Sequence, residues 1–237
     1  MLSGQTALIT GASRGVGRHL ALKLADAGMN VGLCARSEGD LQGVAAEVAA
    51  RGGTAQVYAL DVRDTAAIRA CVRFLEERFG AIDVLVNNAG LSPYKPLVDW
   101  TPDEIDTVLD VNLKGLIHLT QAVLPGMMQR RRGQIINMAS DVGRRAIPNM
   151  GPYVAAKHGV VGFSGSILRE VKDYGIRVSV LLPGVIDTYF GGGAEGSRDP
   201  ASSMTPAAVA DVIHHLLTQP AGVVLDEVQL HPLGQEF

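Results

Sequence analysis

The stretch Gln5-Thr6-Ala7-Leu8-Ile9-Thr10-Gly11-Ala12-Ser13-Arg14-Gly15-Val16-Gly17 decides the fold. Its opening residues, 5–10, read as a strand. Glycines follow in a G-x3-G-x-G spacing, and helical spacing then runs from Gly15 to Gly28. Glycine lets the backbone turn tightly and approach a ligand where a Cβ would clash. The helix beyond offers unpaired N–H groups and the positive end of a dipole, which suit a pyrophosphate. Gly11, Ser13, Arg14, Gly15, Val16 and Gly17 are therefore candidate cofactor-binding residues. A plain strand–helix turn is the competing reading. The context speaks against it: a strand before, a helix after, and the first βα unit of the chain.

Outward from this loop, apolar runs alternate with helical segments to the end of the chain. Further strands are expected at 30–35, 54–60, 82–88, 133–139, 176–182 and 222–230. Helices are expected from Ser37 to about Arg51 and from Asp64 to Phe79, the latter stopped by Gly80. Thr101-Pro102-Asp103-Glu104 combines an N-cap, a proline at the first helical position and a glutamate at the third, so a helix starts there. It runs to about Arg131 with a break near Asp110; two more helices cover 152–174 and 205–217. The strands are short and apolar throughout rather than alternating, as strands covered on both faces are. The fold class is α/β: a doubly wound, Rossmann-type parallel sheet of about seven strands with helices on both faces. A single domain over 1–237 is expected, with an irregular substrate loop at about 184–204.

Composition agrees. A chain of 237 residues, 47% hydrophobic and 19% charged, builds its own core without disulfide or metal. The net charge of −3 leaves no basic excess for nucleic acid, and Arg130-Arg131-Arg132 reads as a solvated helix end. No run approaches the roughly 20 apolar residues of a membrane span, so no membrane partner is expected. The start of the chain shows no secretory pattern. Cys34 and Cys71 lie far apart with no CxxC, which speaks against a disulfide framework or a zinc site and suits a reducing, cytoplasmic setting. No metal is expected.

The end of the second strand discriminates between cofactors. An acid there would hold the adenosine ribose of NAD. This chain reads Cys34-Ala35-Arg36-Ser37 instead. A guanidinium matches the 2′-phosphate of NADP. Arg14 is placed to approach the same phosphate from the glycine loop. These features favour NADP (NADPH) over NAD, against the alternative that both arginines are merely surface residues.

Tyr153 and Lys157 stand four apart at the start of a helix and share one face. A nearby cation stabilises a phenolate, so this pair can tune a tyrosine toward acid–base work. Ser140, at the end of the fifth strand, falls where ligands of such sheets bind. Asn112, just after the helix break, is a fourth polar candidate.

With these residues in view, the chain resembles the short-chain dehydrogenase/reductase family over nearly its full length. The residues that carry the likeness are Thr10-Gly11-x3-Gly15-x-Gly17, Asp61-Val62, Asn87-Asn88-Ala89-Gly90, Asn112, Ser140, Tyr153-x3-Lys157 and Pro183-Gly184-Val185-Ile186-Asp187-Thr188. The resemblance implies an NADP(H)-dependent oxidoreductase that moves a hydride between nicotinamide and a carbonyl or secondary alcohol. Tyr153 would be the general acid or base, Ser140 would hold the substrate oxygen, and Asn112 would position a water. Lys157 would lower the tyrosine pKa and hold the nicotinamide ribose. Asp61 and Val62 would contact the adenine, and Asn88, Ala89 and Gly90 would line the cofactor channel. Pro183, Gly184, Ile186 and Thr188 would lie along the nicotinamide, the last two orienting its carboxamide. The partner expected is a small carbonyl or alcohol substrate in a largely apolar pocket that includes Leu91, Pro93, Val142, Ile147, Met150, Tyr189 and Phe190. Arg144 and Arg145 are either solvated or a lure for an anionic substrate or carrier.

The C-terminus departs from the family's pattern. Many of its 3-oxoacyl reductases end in a strand with Gly-x-x-x-x-Val-Asp-Gly-Gly, whereas this chain ends GVVLDEVQLHPLGQEF. That points away from fatty-acid synthesis and toward general carbonyl chemistry. The apolar faces of 111–131 and 152–174 suggest a homodimer or homotetramer. The main alternative is a non-catalytic NADP-binding regulatory protein of the same fold. Epimerisation or dehydration on this scaffold usually needs a larger substrate domain, and a methyltransferase-like fold leaves Tyr153-x3-Lys157 unexplained.

Overall fold

Leu8 and Ile9 are both fully buried, yet they belong to two different apolar layers. That is the signature of a strand covered on both sides. The computed structural model describes residues 2–235. Met1, Glu236 and Phe237, included in the expected 1–237 unit, lie outside the described residues. Strand β1 (Thr6–Thr10) sits between β2 (Asn30–Ala35) and β4 (Val84–Asn87). With β3 (Thr54–Ala59), β5 (Gly133–Met138), β6 (Ile176–Pro183) and β7 (Glu227–Leu230), the order across the sheet is β3-β2-β1-β4-β5-β6-β7. Every pairing is parallel.

Helices α1 (Gly15–Asp26), α2 (Glu38–Ala50) and α7 (Pro206–Leu217) cover one face through Leu20, Leu24, Leu41, Val44, Val209 and Ile213. Helices α3 (Thr65–Phe79), α5 (Gly115–Arg130) and α6 (Gly151–Val171) cover the other through residues such as Ile68, Leu75, Leu119, Val123 and Val160. Burying one such side chain stabilises the fold by roughly 1.5–3 kcal/mol. Among the described residues, no helix is long and apolar enough to cross a membrane.

The helix that starts at Thr101 does so through a full capping box, with Thr101 and Glu104 each capping the other's backbone. The break expected near Asp110 is a π-turn. Helix α4 (Pro102–Leu109) runs into a wide turn over Asp110–Lys114, where the Gly115 N–H reaches back to the Asp110 carbonyl, before α5 begins. This added residue in the coil carries Asn112.

One expectation needs correction. The last strand is not 222–230 but Glu227–Leu230. Residues before it are taken by a turn, Val223 N–H to Pro220 O, and by the Arg177 guanidinium, which donates to the carbonyls of Gln219, Pro220 and Val223. The arginine triplet closes α5 as expected, with Arg131 and Arg132 exposed, and its guanidiniums also find partners. Arg130 donates to Ile82 O, Arg131 to Asp173 O, and Arg132 pairs with Asp83 at 2.7 Å. Cys34 and Cys71, distant in sequence, meet where α3 packs on β2; their free thiols lie 3.4 Å apart, fully enclosed.

Asp83 is a buried carboxylate at the foot of β4. It accepts the Thr6 N–H at 3.0 Å and so fastens the start of β1. Asp83→Ala leaves that buried N–H without a partner. It is expected to cost about 1–3 kcal/mol, read as a lower urea midpoint with an unchanged slope.

Candidate active site

The strand order reverses beside β1, and the crevice this opens lies at the carboxyl ends of β1 and β4. Thr10 and Asn88 span it. The Thr10 hydroxyl donates to Val86 O and accepts the N–H groups of Asn88 and Ala89, while the Asn88 carboxamide donates to the carbonyls of Thr10 and Gly11. Gly11 and Gly15 take positive φ, +65° and +54°, where a side chain would be strained. A Cβ on Gly17 would run into the Gly11 carbonyl and the Asn88 carboxamide. Asn88 therefore shapes the glycine loop with its side chain.

Helix α1 begins beyond this loop with no side-chain cap at Arg14 and no acidic residue in its first turn. Its free N–H groups and dipole face the crevice unopposed, and the cradle fits a pyrophosphate. Ser13 is half-buried and Val16 is buried beside it. Arg36 is exposed just past the end of β2, and Arg14 is exposed with its guanidinium 5.0 Å from the Tyr189 ring centre. Two cations thus stand near the crevice rim. Asp61 is gripped by Arg63, with Arg36 adding to the field, so its carboxyl sits below the usual carboxylate range. Val62 is buried against the start of α5, where a Cβ on Gly115 would meet it. Thr188 packs against Gly15, which brings the segment after β6 onto the glycine loop. Pro183 closes β6, Gly184 follows it, and Ile186 bridges to Met204.

A second cluster forms where the ends of β4 and β5 meet α6. Tyr153 is 6% exposed and Lys157 is 4% exposed. Lys157 Nζ donates to Met138 O at 2.6 Å and lies 5.5 Å from the Tyr153 ring centre. Ser140, half-buried, lies beside Tyr153 and donates to Asp141 Oδ1 at 3.0 Å. A Cβ placed on Gly90 would meet Asn112 Oδ1 at 2.9 Å, Phe190 at 3.8 Å and Lys157 Nζ at 4.0 Å. One point in the crevice is therefore shared by Gly90, Asn112, Phe190 and Lys157. Phe190 tilts over Tyr153 with ring centres 5.6 Å apart. Trp100, Val108 and Val142 pack with Tyr153, joined by Leu91, Ile147 and Met150, so the wall is apolar.

The electrostatics correct one expectation. The Tyr153 pKa is raised on balance, not lowered. Burial pushes the phenol well above its ordinary value, against the hydrogen bond to Ser140 and with help from the Asp141 charge. Burial alone pushes Lys157 down to about 7. Each group resists ionisation in a low dielectric when no partner charge is present. The Asn112 carboxamide is also committed. It accepts Leu91 N–H at 3.2 Å and donates to Leu91 O and Val108 O, so its side chain tethers the loop after β4. Arg144 and Arg145 are spoken for as well, paired with Glu227 and Asp141 at 2.5 Å.

Asp141 and Gln235 had gone unnoticed in the sequence, although Ser140 and Arg145 had not. The carboxylate is buried and accepts from Ser140, Arg145 and Gln235. Its position beside Ser140 was visible; Gln235, 94 residues away, gave no local signal. The Thr10 hydroxyl was missed too, although it lies within the glycine motif.

Residues 5–196 match the short chain dehydrogenase family. The 3-oxoacyl-[acyl-carrier-protein] reductase FabG of Staphylococcus aureus is 37% identical over 216 residues, covering 91% of this chain and 82% of that protein. The reductase of the same name from Vibrio harveyi is 41% identical over 187 residues, 79% of this chain and 75% of that protein. Among solved structures, an alcohol dehydrogenase from the archaeon Thermococcus sibiricus complexed with 5-hydroxy-NADP superposes with a TM-score of 0.93 at 33% identity, covering 98% of each chain. A metagenomic short-chain oxidoreductase in complex with NADP gives 0.87 at 36% identity, again over 98% of each. The fold and the crevice thus define an oxidoreductase of the nucleotide-binding α/β class. The chain belongs to the short-chain dehydrogenase/reductase family.

Lys157 makes a pH prediction. Unfolded, a lysine titrates near ~10.4; folded, this one titrates near 7. Between those values the unfolded chain holds the extra proton, so the fold gains stability as pH rises, and the burial penalty is full below pH 7. Lys157→Met is expected to melt higher than the parent below about pH 7, with the advantage fading toward about pH 10. Scanning calorimetry across that range checks it.

Proposed function

We propose that the chain is an NADPH-dependent reductase of ketones, with 3-oxoacyl thioesters as the first substrate class to examine. The observation that carries the reading is the convergence of Ser140, Tyr153 and Lys157 on the apolar wall beside Gly90. The named relatives, 3-oxoacyl-carrier reductases, support the substrate class. They weigh against the C-terminal departure, which favours a broader ketone.

In this reading NADP lies along the crevice and, when reduced, supplies the hydride. Gly11, Ser13, Arg14, Gly15, Val16 and Gly17 would hold its pyrophosphate. Arg36, with Arg14, would take the 2′-phosphate by charge-assisted hydrogen bonds. Asp61 and Val62 would border the adenine, and Asn88, Ala89 and Gly90 the channel. Pro183, Gly184, Ile186 and Thr188 would border the nicotinamide end.

The chain's own groups handle the proton. Tyr153, buried and protonated through the neutral range, donates its phenolic proton to the substrate oxygen. Ser140 hydrogen-bonds that same oxygen and stabilises the charge developing on it. The phenolate left behind is stabilised by Lys157, whose ammonium gains a partner in that state and returns a proton to Tyr153. A lysine pushed down to about 7 exchanges protons readily near neutral pH. Leu91, Val142, Ile147 and Met150 keep water from the reacting carbon. A homodimer or homotetramer goes with this reading, supported by the apolar, partly exposed Leu113, Ile117 and Phe163 on α5, the π-turn and α6.

The test is NADPH consumption, followed in the near ultraviolet, against ketones, aldehydes, quinones and 3-oxoacyl thioesters. Turnover is expected with at least one ketone class. Tyr153→Phe is expected to reduce it by about 10²–10⁴-fold. Arg36→Ala is expected to raise KM for NADPH by roughly 10- to 100-fold, the worth of one charge-assisted hydrogen bond, while leaving KM for NADH nearly unchanged. Turnover that survives in Tyr153→Phe would refute the mechanism.

A further inference from the structure

We infer that Asp141 is a positioning residue for Ser140, and that Gln235, near the end of the chain, holds it in place. The inference rests on the proposed role of Ser140 and Tyr153.

The Asp141 side chain is 5% exposed. A carboxylate taken that far from water is costly unless its oxygens are satisfied. Oδ2 accepts from Arg145 at 2.5 Å and from the Gln235 carboxamide at 2.8 Å, with His231 Nε2 at 3.5 Å. Oδ1 accepts the Ser140 hydroxyl at 3.0 Å. Burial pulls the carboxyl toward protonation, but the hydrogen bonds from Arg145, Gln235 and Ser140 outweigh it and keep it ionised. An ionised carboxylate only accepts, so the single Ser140 proton points to Asp141. The competing acceptor, Pro183 O, is neutral and farther, at 3.4 Å. A lone pair of Ser140 then accepts Val142 N–H at 3.4 Å, with Tyr153 beside it. Asp141 thereby fixes which way the site hydroxyl is turned before substrate arrives, and the proton turns from Asp141 to the substrate oxygen as charge develops there.

Gln235 is a two-ended clip. Its amide nitrogen donates to Asp141, and its carbonyl oxygen accepts Val185 N–H at 2.9 Å. It joins the turn after β5 to the segment after β6, the two sides of the crevice mouth. Gly184 has no Cβ because one would strike the Gln235 carboxamide and His231. These partners lie in the tail that departs from the 3-oxoacyl reductase pattern, so the departure supplies the clip.

The experiment has two arms. In the first, amide exchange at Val185 is measured by NMR on the unliganded chain and on Gln235→Ala. Loss of one hydrogen bond is expected to speed exchange about five- to tenfold. In the second, ketone reduction is followed against pH for the parent, Gln235→Ala and Asp141→Asn. Both variants are expected to lower kcat, with KM for NADPH changed less than twofold. Asp141→Asn is also expected to move the alkaline limb to lower pH by about half a unit or more, because a negative charge beside the phenol is gone. Unchanged Val185 exchange together with unchanged kcat in Gln235→Ala would overturn the clip. A slower Asp141→Asn enzyme with an unmoved pH profile would reduce Asp141 to a structural part and overturn the positioning role. A parent chain inactive on every ketone would overturn that role together with the proposed function, while the exchange arm still decides whether Gln235 ties the crevice.

Discussion

Everything at the carboxyl ends of the strands depends on the hydrogen bonds that span β1 and β4. A parallel sheet places its loops wherever its strands end, and where the strand order reverses, two neighbouring loops diverge and leave a gap. In this chain the gap is held to a fixed width by Thr10 and Asn88, which bind each other's backbone. The glycine loop is tight enough that Gly17 tolerates no Cβ, because the Gly11 carbonyl is pressed against it. That pressure is the other side of the same tie. Without it, α1 would not aim its uncapped N–H groups into the crevice, and the segment around Thr188 would have nothing to rest on.

The second half of the site depends on burial rather than on ties. Tyr153 and Lys157 are both enclosed, and burial disfavours the charged form of each. A low dielectric makes isolated ions costly and opposed ions strongly attractive. The same enclosure that suppresses ionisation at rest therefore rewards it once a phenolate and an ammonium appear together.

How much of this could be read from residues alone follows from the range of each interaction. Strand and helix positions are local: apolar runs, the capping box at Thr101 and glycine stops announce them, and the π-turn shows as a break near Asp110. Tyr153 and Lys157 were legible because four residues on one helix share a face. The final strand was overextended because its neighbours are decided by Arg177, a side chain from another strand that occupies the carbonyls a ladder would use. The two readings of Arg144 and Arg145 stayed open because Glu227 and Asp141, which hold them, are chosen by tertiary structure. The tyrosine pKa was misjudged for a related reason. Spacing reports that a cation is near; it says nothing of how much water has been removed from both groups.

The thiols of Cys34 and Cys71 carry a practical consequence. They face each other under α3, sealed from solvent and next to the strand that leads to Arg36. The hydrogen bond with Cys71, and burial after it, push the Cys34 thiol up, so even a reagent that reached it would meet little thiolate. Modification must wait until α3 lifts from β2. The rate at which a thiol reagent is consumed by this protein is therefore a clock for opening of the helix layer, ticking without any introduced label.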